Sequence, residues 1–226
     1  MPGLAEPSPP GGSARQAGSL QGTVAIGHEL ERRRVHFPVY PDLGRQAPEP
    51  KAPSLQEEVR NVIVYFEPAA ELASAPAGRA PQQIMAQVDE TFVPHVLPIL
   101  AGSTVDFPNS DPFFHNVFSL SMASAFDLGH YPKGTSKSVR FDKPGLVKVF
   151  CHLHADMSAV IMVLENPFFA VPAESGAYRI EGIPPGRYKV TAWHERAHPV
   201  TREVTIEPGR TATADFQVPI DDSAGD

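Results

Sequence analysis

Apolar and polar residues alternate along most of this chain in short runs, each closed by glycine, proline or a small polar cluster. Leu20 to Gly27, Arg34 to Val39 and Asn61 to Phe66 are the first such runs. Period-two alternation between turn residues predicts β-strands. The same pattern predicts strands at Gln83 to Val88, His95 to Leu100, Ser103 to Phe107, His115 to Leu120, Ser138 to Phe141 and Leu146 to Cys151. Ser158 to Leu164 is apolar almost throughout, as in a strand buried on both faces. Four more alternating runs follow: Ala177 to Glu181, Arg187 to Trp193, Arg202 to Ile206 and Thr211 to Val218. Ser121 to Gly134 shows no period and is expected to be irregular. Ser54 with Glu57 has the form of a capping box before a brief helical turn. No long helical period occurs, and strands this closely spaced predict an all-β chain of sandwich type.

Composition sharpens this picture. The 226 residues suffice for one large domain or two small ones. With 25 prolines and 17 glycines the chain suits many strands joined by turns. Pro41 to Pro53 is a Pro-rich loop, and Glu67 to Pro81 is an Ala/Pro linker that marks a boundary. Met1 to Gly18 is Pro, Gly, Ala and Ser, and is expected to be disordered; it lacks the charged-then-apolar pattern of a signal peptide. The formal charge of −7, with no basic run beyond Arg32-Arg33-Arg34, argues against nucleic acid as a partner. No apolar run approaches the ~18 residues of a membrane span.

The chemistry concentrates at the only cysteine, in Phe150-Cys151-His152-Leu153-His154-Ala155-Asp156-Met157. Cys, His and Met at intervals of three are soft or borderline ligands that suit copper better than Mg or Ca. Strand alternation puts Cys151 on the face of Val147 and Val149, with Lys148 and Phe150 on the other. A second imidazole is available at His115, in Asp111-Pro112-Phe113-Phe114-His115-Asn116-Val117-Phe118. Taken singly, His115 reads first as a strand histidine, Met157 as core packing and Cys151 as an inert buried thiol; their joint occurrence in this order, with Cys151 facing inward, is what points to copper. Nucleophile-elbow, P-loop, CxxC and HExxH patterns are all missing from the sequence.

Gly102-Ser103-Thr104-Val105-Asp106-Phe107, then Phe114-His115-Asn116-Val117, then Pro144-Gly145 leading into Cys151, resemble the cupredoxin or blue-copper family over 101–164. The Cys-x-x-His-x-x-Met spacing is similar to the short ligand loop of amicyanin. From Phe92-Val93-Pro94-His95 to Trp193-His194-Glu195 the chain looks like bacterial plastocyanin-like proteins often labelled methylamine-utilisation proteins. The resemblance implies a Greek-key β-sandwich and one type 1 copper. His115, Cys151 and His154 would be its trigonal ligands and Met157 the axial one. It implies electron transfer rather than an enzyme. A redox partner would dock transiently at an apolar rim of Phe113, Phe114, Leu153 and Ala155. A periplasmic or otherwise extracytoplasmic location is expected on the same ground. His152 is expected at the surface near the metal rim, with a second weak metal contact as the alternative, and His95 in a structural role, with a further ligand as the alternative. His130, His194 and His198 are expected in turns or at the surface. Two other readings use the same residues: a copper-delivery protein without a redox partner, and an interaction module with a vestigial site.

Gly176 to Val218 resembles the carboxypeptidase-regulatory type of β-sandwich, which normally opens on a strand like Gly22-Thr23-Val24. The first strands, Leu20 to Phe66, are too few to bury a sheet face alone, since a lone two- or three-stranded piece is marginal, and the C-terminal strands share the difficulty. The expected organisation is therefore a disordered 1–18, the first part of a discontinuous sandwich at 19–67, the cupredoxin at 82–166, the second part of the sandwich at 172–219, and a disordered tail at 220–226. Insertion is tolerated where a host domain brings the two ends together.

Overall fold

The structure, a computed structural model, describes residues 16–27, 55–73, 82–154 and 156–219. It opens with strand β1 (Gly18–Ile26), the short helix α1 (Leu55–Val59), β2 (Ile63–Phe66) and one helical turn, α2 (Ala70–Ala73). Next come β3 (Gln82–Ile84), β4 (Ala86–Val88), β5 (Thr91–Val93), β6 (Val96–Leu100) and β7 (Ser103–Pro108). β8 (His115–Ser121), β9 (Ser124–Tyr131), β10 (Ser136–Phe141), β11 (Gly145–Phe150) and β12 (Ser158–Leu164) follow. The chain ends with β13 (Phe169–Ala170), β14 (Ala177–Ile183), β15 (Gly186–Trp193), β16 (Val200–Ile206), β17 (Thr211–Thr213) and β18 (Phe216–Val218). The all-β class is as the alternation predicts. The expected strand at 34–39, the loop at 41–53, Ser54, residues 1–15 and the tail at 220–226 lie outside the described residues.

The middle strands form two sheets, of order β6-β12-β11-β8-β9 and β10-β7-β3, with β4 and β5 as a separate hairpin. Between them lies a core that includes Met85, Phe107, Val117, Phe141, Val149 and Ile161. β12 pairs antiparallel with β11 and parallel with β6. It is buried on both faces, as its apolar run predicts. Ala159, Ile161 and Val163 enter this core, while Met162 and Leu164 meet Ile63, Val96, Tyr65 and Trp193 on the opposite side.

The remaining strands form a second pair of sheets. β1 pairs antiparallel with β14 and parallel with β17 and β18, and β13-β2-β15-β16 make the other sheet. Leu20, Phe66, Tyr178, Val190 and Phe216 share their core. The ladder leaves no room for a side chain at Gly22, whose added Cβ would lie 1.8 Å from the Ala214 carbonyl oxygen. That oxygen already accepts the Tyr178 hydroxyl at 2.6 Å, so it cannot swing aside. Gly22→Ala should destabilise the protein by about 3 kcal/mol, the upper part of the usual overpacking range. Urea unfolding measures this, and an unchanged midpoint would show that β1 does not pack against 176–214.

Several elements differ from expectation. The run Gln83–Val88 is two strands, β3 and β4, which join different sheets, and the sequence pattern does not predict β5, β13 or the helical turn α2 within the expected linker. The irregular Ser121–Gly134 is overturned, because β9 runs through it and pairs with β8. β9 is an edge strand whose inward Phe126 and Leu128 are only half-buried, so polarity hardly contrasts between its faces. A bulge in the β8–β9 register and Gly129 at φ 61° also break its period. The run Thr211–Val218 is split, since Asp215 leaves the ladder and accepts bonds from the Thr23 amide (2.7 Å) and hydroxyl (2.8 Å).

Candidate metal centre

β11 and β12 are the arms of a hairpin, and the loop joining them carries Cys151 to Met157. The ladder that pairs Phe150 with Ser158 continues one step, as the Cys151 amide donates to the Met157 carbonyl (3.1 Å). The Met157 amide donates to the His154 carbonyl (3.1 Å), which folds the loop back tightly. Cys151 is buried with Val147 and Val149, as the alternation predicts, and Met157 is buried in the same core. Direct cross-strand partners project to one face of a sheet, so Met157 lies on the face of Cys151.

β8 runs beside β11 and begins at His115, which is fully buried. Its Nδ1 lies 3.8 Å from Cys151 Sγ, and His154 Nδ1 lies 3.8 Å from the same sulfur. The three donor atoms are all within 4.8 Å of one another. Metal–sulfur and metal–imidazole bonds of about 2.3 and 2.0 Å, opened to a trigonal angle, place S and N roughly 3.8 Å apart. The cluster therefore fits a metal ion, and its one thiolate and two imidazoles are a borderline-to-soft set.

His115 is held from behind. Its Nε2–H donates to Asp111 Oδ2 at 2.7 Å, leaving Nδ1 as the free lone pair that faces the sulfur. Asp111 also accepts the amides of Asp89 (2.7 Å) and Glu90 (3.0 Å). These two residues form the β4–β5 turn with φ of 51° and 57°. Such a turn normally favours Asn and Gly; here the buried carboxylate collects both of its amides. Burial opposes the Asp111 charge, but the Glu90 amide, His115 and the Asp89 amide outweigh it and hold the carboxyl below its ordinary value. Asn109 completes the support, donating to the carbonyls of Phe113 (2.9 Å) and Tyr131 (3.0 Å) and accepting the Asp111 amide (2.9 Å).

His154 is the more open imidazole. Its Nε2 lies 4.0 Å from Glu90 Oε2. Partial burial, with His115 nearby, keeps it below its ordinary value against the pull of Glu90 and Asp111. Phe113 packs edge-on against the His115 ring (5.3 Å between centroids) and tilted against the His154 ring (5.6 Å). Phe113, Phe114 and Leu153 are all exposed beside the site. Ala155, expected in the same rim, lies outside the described residues.

The other histidines divide. His152 is exposed, with its ring 3.8 Å from that of Phe118. His130 and His198 are exposed as expected. His95 is structural: its ring bonds the Ser158 carbonyl at 3.0 Å and Glu195 at 2.5 Å. His194 departs from its surface assignment. It is buried and bonded to Glu58 at 2.9 Å. Sequence pattern does not single out Asp111 or Asn109. The signal available was a carboxylate four residues before a candidate ligand.

The description "Carboxypeptidase regulatory-like domain" matches residues 158–219. No curated protein matches the chain. Among solved structures, a copper-containing nitrite reductase from Thermus scotoductus SA-01 is 27% identical, with a TM-score of 0.37; the match covers 44% of this chain and 25% of the reductase. This chain thus spans about a quarter of the reductase's length. A reduced amicyanin mutant is 18% identical (TM-score 0.35), with 45% of this chain and 98% of amicyanin covered. A purple cupredoxin from Nitrosopumilus maritimus is 22% identical (TM-score 0.33), with 37% and 98% covered. The two resemblances read from the sequence, cupredoxin-like in the middle and regulatory-type at the C-terminal end, are met by matches of the same two kinds. Among the described residues no helix is long and apolar enough to cross a membrane.

Proposed function

We propose that this protein is a type 1 copper protein that carries single electrons, with His115, Cys151 and His154 as equatorial ligands and Met157 as the weak axial one. The observation that carries this reading is the convergence of Cys151 Sγ and the two Nδ1 atoms at 3.8 Å, inside a packed β-sandwich. Copper held by such a set changes oxidation state by one electron. The chain's own part is to keep the ligands where they are. Asp111 orients His115, the Cys151–Met157 ladder fixes the loop, and Phe113 packs against both imidazoles.

A partner reaches the site over Phe113, Phe114 and Leu153, next to the edge of His154. A small apolar contact of this kind suits the brief encounters of redox pairs. With the ligand positions occupied by side chains, the site offers no open coordination position for a substrate, which favours a carrier over an enzyme. The resemblance favours an extracytoplasmic location. The sheet pairings support a cupredoxin at 82–166 inserted into a sandwich made of 19–67 and 172–219.

Copper(II) added to the full chain tests the reading: an intense visible sulfur-to-copper band is expected, and a colourless complex would sink it. The axial role has its own test. Met157→Gln exchanges a soft thioether for a harder oxygen, so the band should persist while the reduction potential falls. An unchanged potential would remove Met157 from the ligand set.

A further inference from the structure

The five-stranded sheet has a second face, and behind the Cys151–His115 pair that face carries an unused set of ligand-type side chains. β8 and β11 pair through Phe118 and Phe150, whose rings lie 5.8 Å apart on the outer side. β11 ends at Phe150, and His152, in the bend that follows, lays its ring on Phe118. On the other flank of β8, His130 is the direct partner of Asn116, and Asp127 is the partner of Phe118. His130 and Asp127 on β9 and His152 in the loop after β11 thus form a row over Asn116 and Phe118 of β8.

The groups in this row are available. Asp127 Oδ1 accepts the Asn116 side-chain amide (2.7 Å) and the Gly129 amide (2.8 Å). Its Oδ2 and the ring nitrogens of His130 and His152 take no hydrogen bond among the described residues. Those two amides, and also the His152 and His130 imidazoles, hold the Asp127 carboxyl below its ordinary value. Asn116 is 2% exposed, and its side-chain oxygen is buried without a hydrogen-bond partner. A buried amide oxygen left unpaired costs about 1–3 kcal/mol and calls for a missing partner.

We propose that His130, His152 and Asp127 form a second site, for a divalent cation of the zinc or copper(II) type, back to back with the first. Two imidazoles and a carboxylate are an ordinary set for such ions. His130 lies one strand spacing, about 4.8 Å, from Asn116, and His152 reaches over Phe118, two residues along β8. Each imidazole can hold an ion roughly 6 Å from its own Cα, so both reach one ion above Asn116. The rings do not converge within bonding distance in the described conformation. Both are exposed and free of hydrogen bonds among the described residues, and bringing them together lifts the His152 ring off Phe118. An ion there lies one residue from the Cys151 thiol, on the other side of the sheet.

The test is equilibrium dialysis with Zn(II) alone on the full chain carrying Cys151→Ala, which removes the sulfur of the first site. His130→Ala and His152→Ala, each added to this background, should weaken zinc binding at least about tenfold. His198→Ala, at an exposed histidine elsewhere, should leave it unchanged. All three positions are exposed, so folding is not at risk. No zinc bound by the Cys151→Ala chain, or less than tenfold loss in either the His130 or the His152 variant, overturns the site. The background lacks the thiolate, so the result is independent of whether the first site holds copper.

Discussion

Replacing Cys151 with serine is expected to abolish the visible band of the copper-loaded protein and to weaken copper binding more than about 100-fold. Changes one shell outside a metal already cost about 10–100-fold, and this change removes a ligand itself. The hydroxyl is a poor substitute for two reasons. It does not ionise near neutral pH as a metal-bound thiol does, and its hard oxygen cannot donate the charge that gives the sulfur-to-copper transition. The fold should survive. Cys151 and serine differ by one atom, and burying a hydroxyl costs about 1–3 kcal/mol. Absorption after copper(II) addition and a urea titration of the same sample separate the two effects. A band that persists in the serine variant would mean that the sulfur is not bound. Loss of the fold together with the band would leave a structural thiol as the better account.

The cluster of His115, Cys151 and His154 was legible because part of the candidate ligand set is local. Cys151, His154 and Met157 lie within seven residues, and strand alternation alone says which way Cys151 points. His115 needed one long-range step, which the order of motifs around it supplied. What escaped was whatever depends on contacts between distant elements. Asp111 looks like any turn aspartate until the β4–β5 turn is seen to aim two amides at it. Glu195 and His95 are separated by 100 residues and meet at 2.5 Å. β9 escaped for another reason: on an edge strand whose inner face is only half-buried, and whose period is broken by a bulge and Gly129, the alternation carries little contrast.

His194 is the clearest case of a polar residue misread from its neighbours. It follows Trp193 at the end of β15, where a strand gives way to a turn, and turn histidines are normally solvated. Here α1 brings Glu58 against it and closes the water out. The cost of burying both groups is offset only because each satisfies the other. Sequence pattern does not show such a pairing, since the partners are 136 residues apart.

That pairing carries the largest stability effect expected in this protein. Glu58 is 1% exposed, and its Oε2 accepts from His194 Nε2 (2.9 Å) and from the Asn61 side chain (3.3 Å). Its Oε1 faces an Arg196 guanidinium nitrogen at 3.4 Å. Glu58→Gln keeps the volume but removes the charge around which His194 and Arg196 are arranged. Removing one partner of a buried ion pair costs about 3–5 kcal/mol. The sign of the pH dependence follows from the same contacts. Burial opposes the Glu58 charge, yet the bonds from His194 and Asn61 and the charges of His194 and Arg196 hold the carboxyl below its ordinary value. A carboxyl depressed on folding contributes stability that is present above its unfolded value and is lost as pH falls through the lowered folded value. The native chain should therefore lose stability in acid faster than Glu58→Gln, and the gap between their urea midpoints should narrow below the ordinary carboxylate range. A gap that stays constant down to acid unfolding would mean that the charge of Glu58 is not what joins α1 to the end of β15.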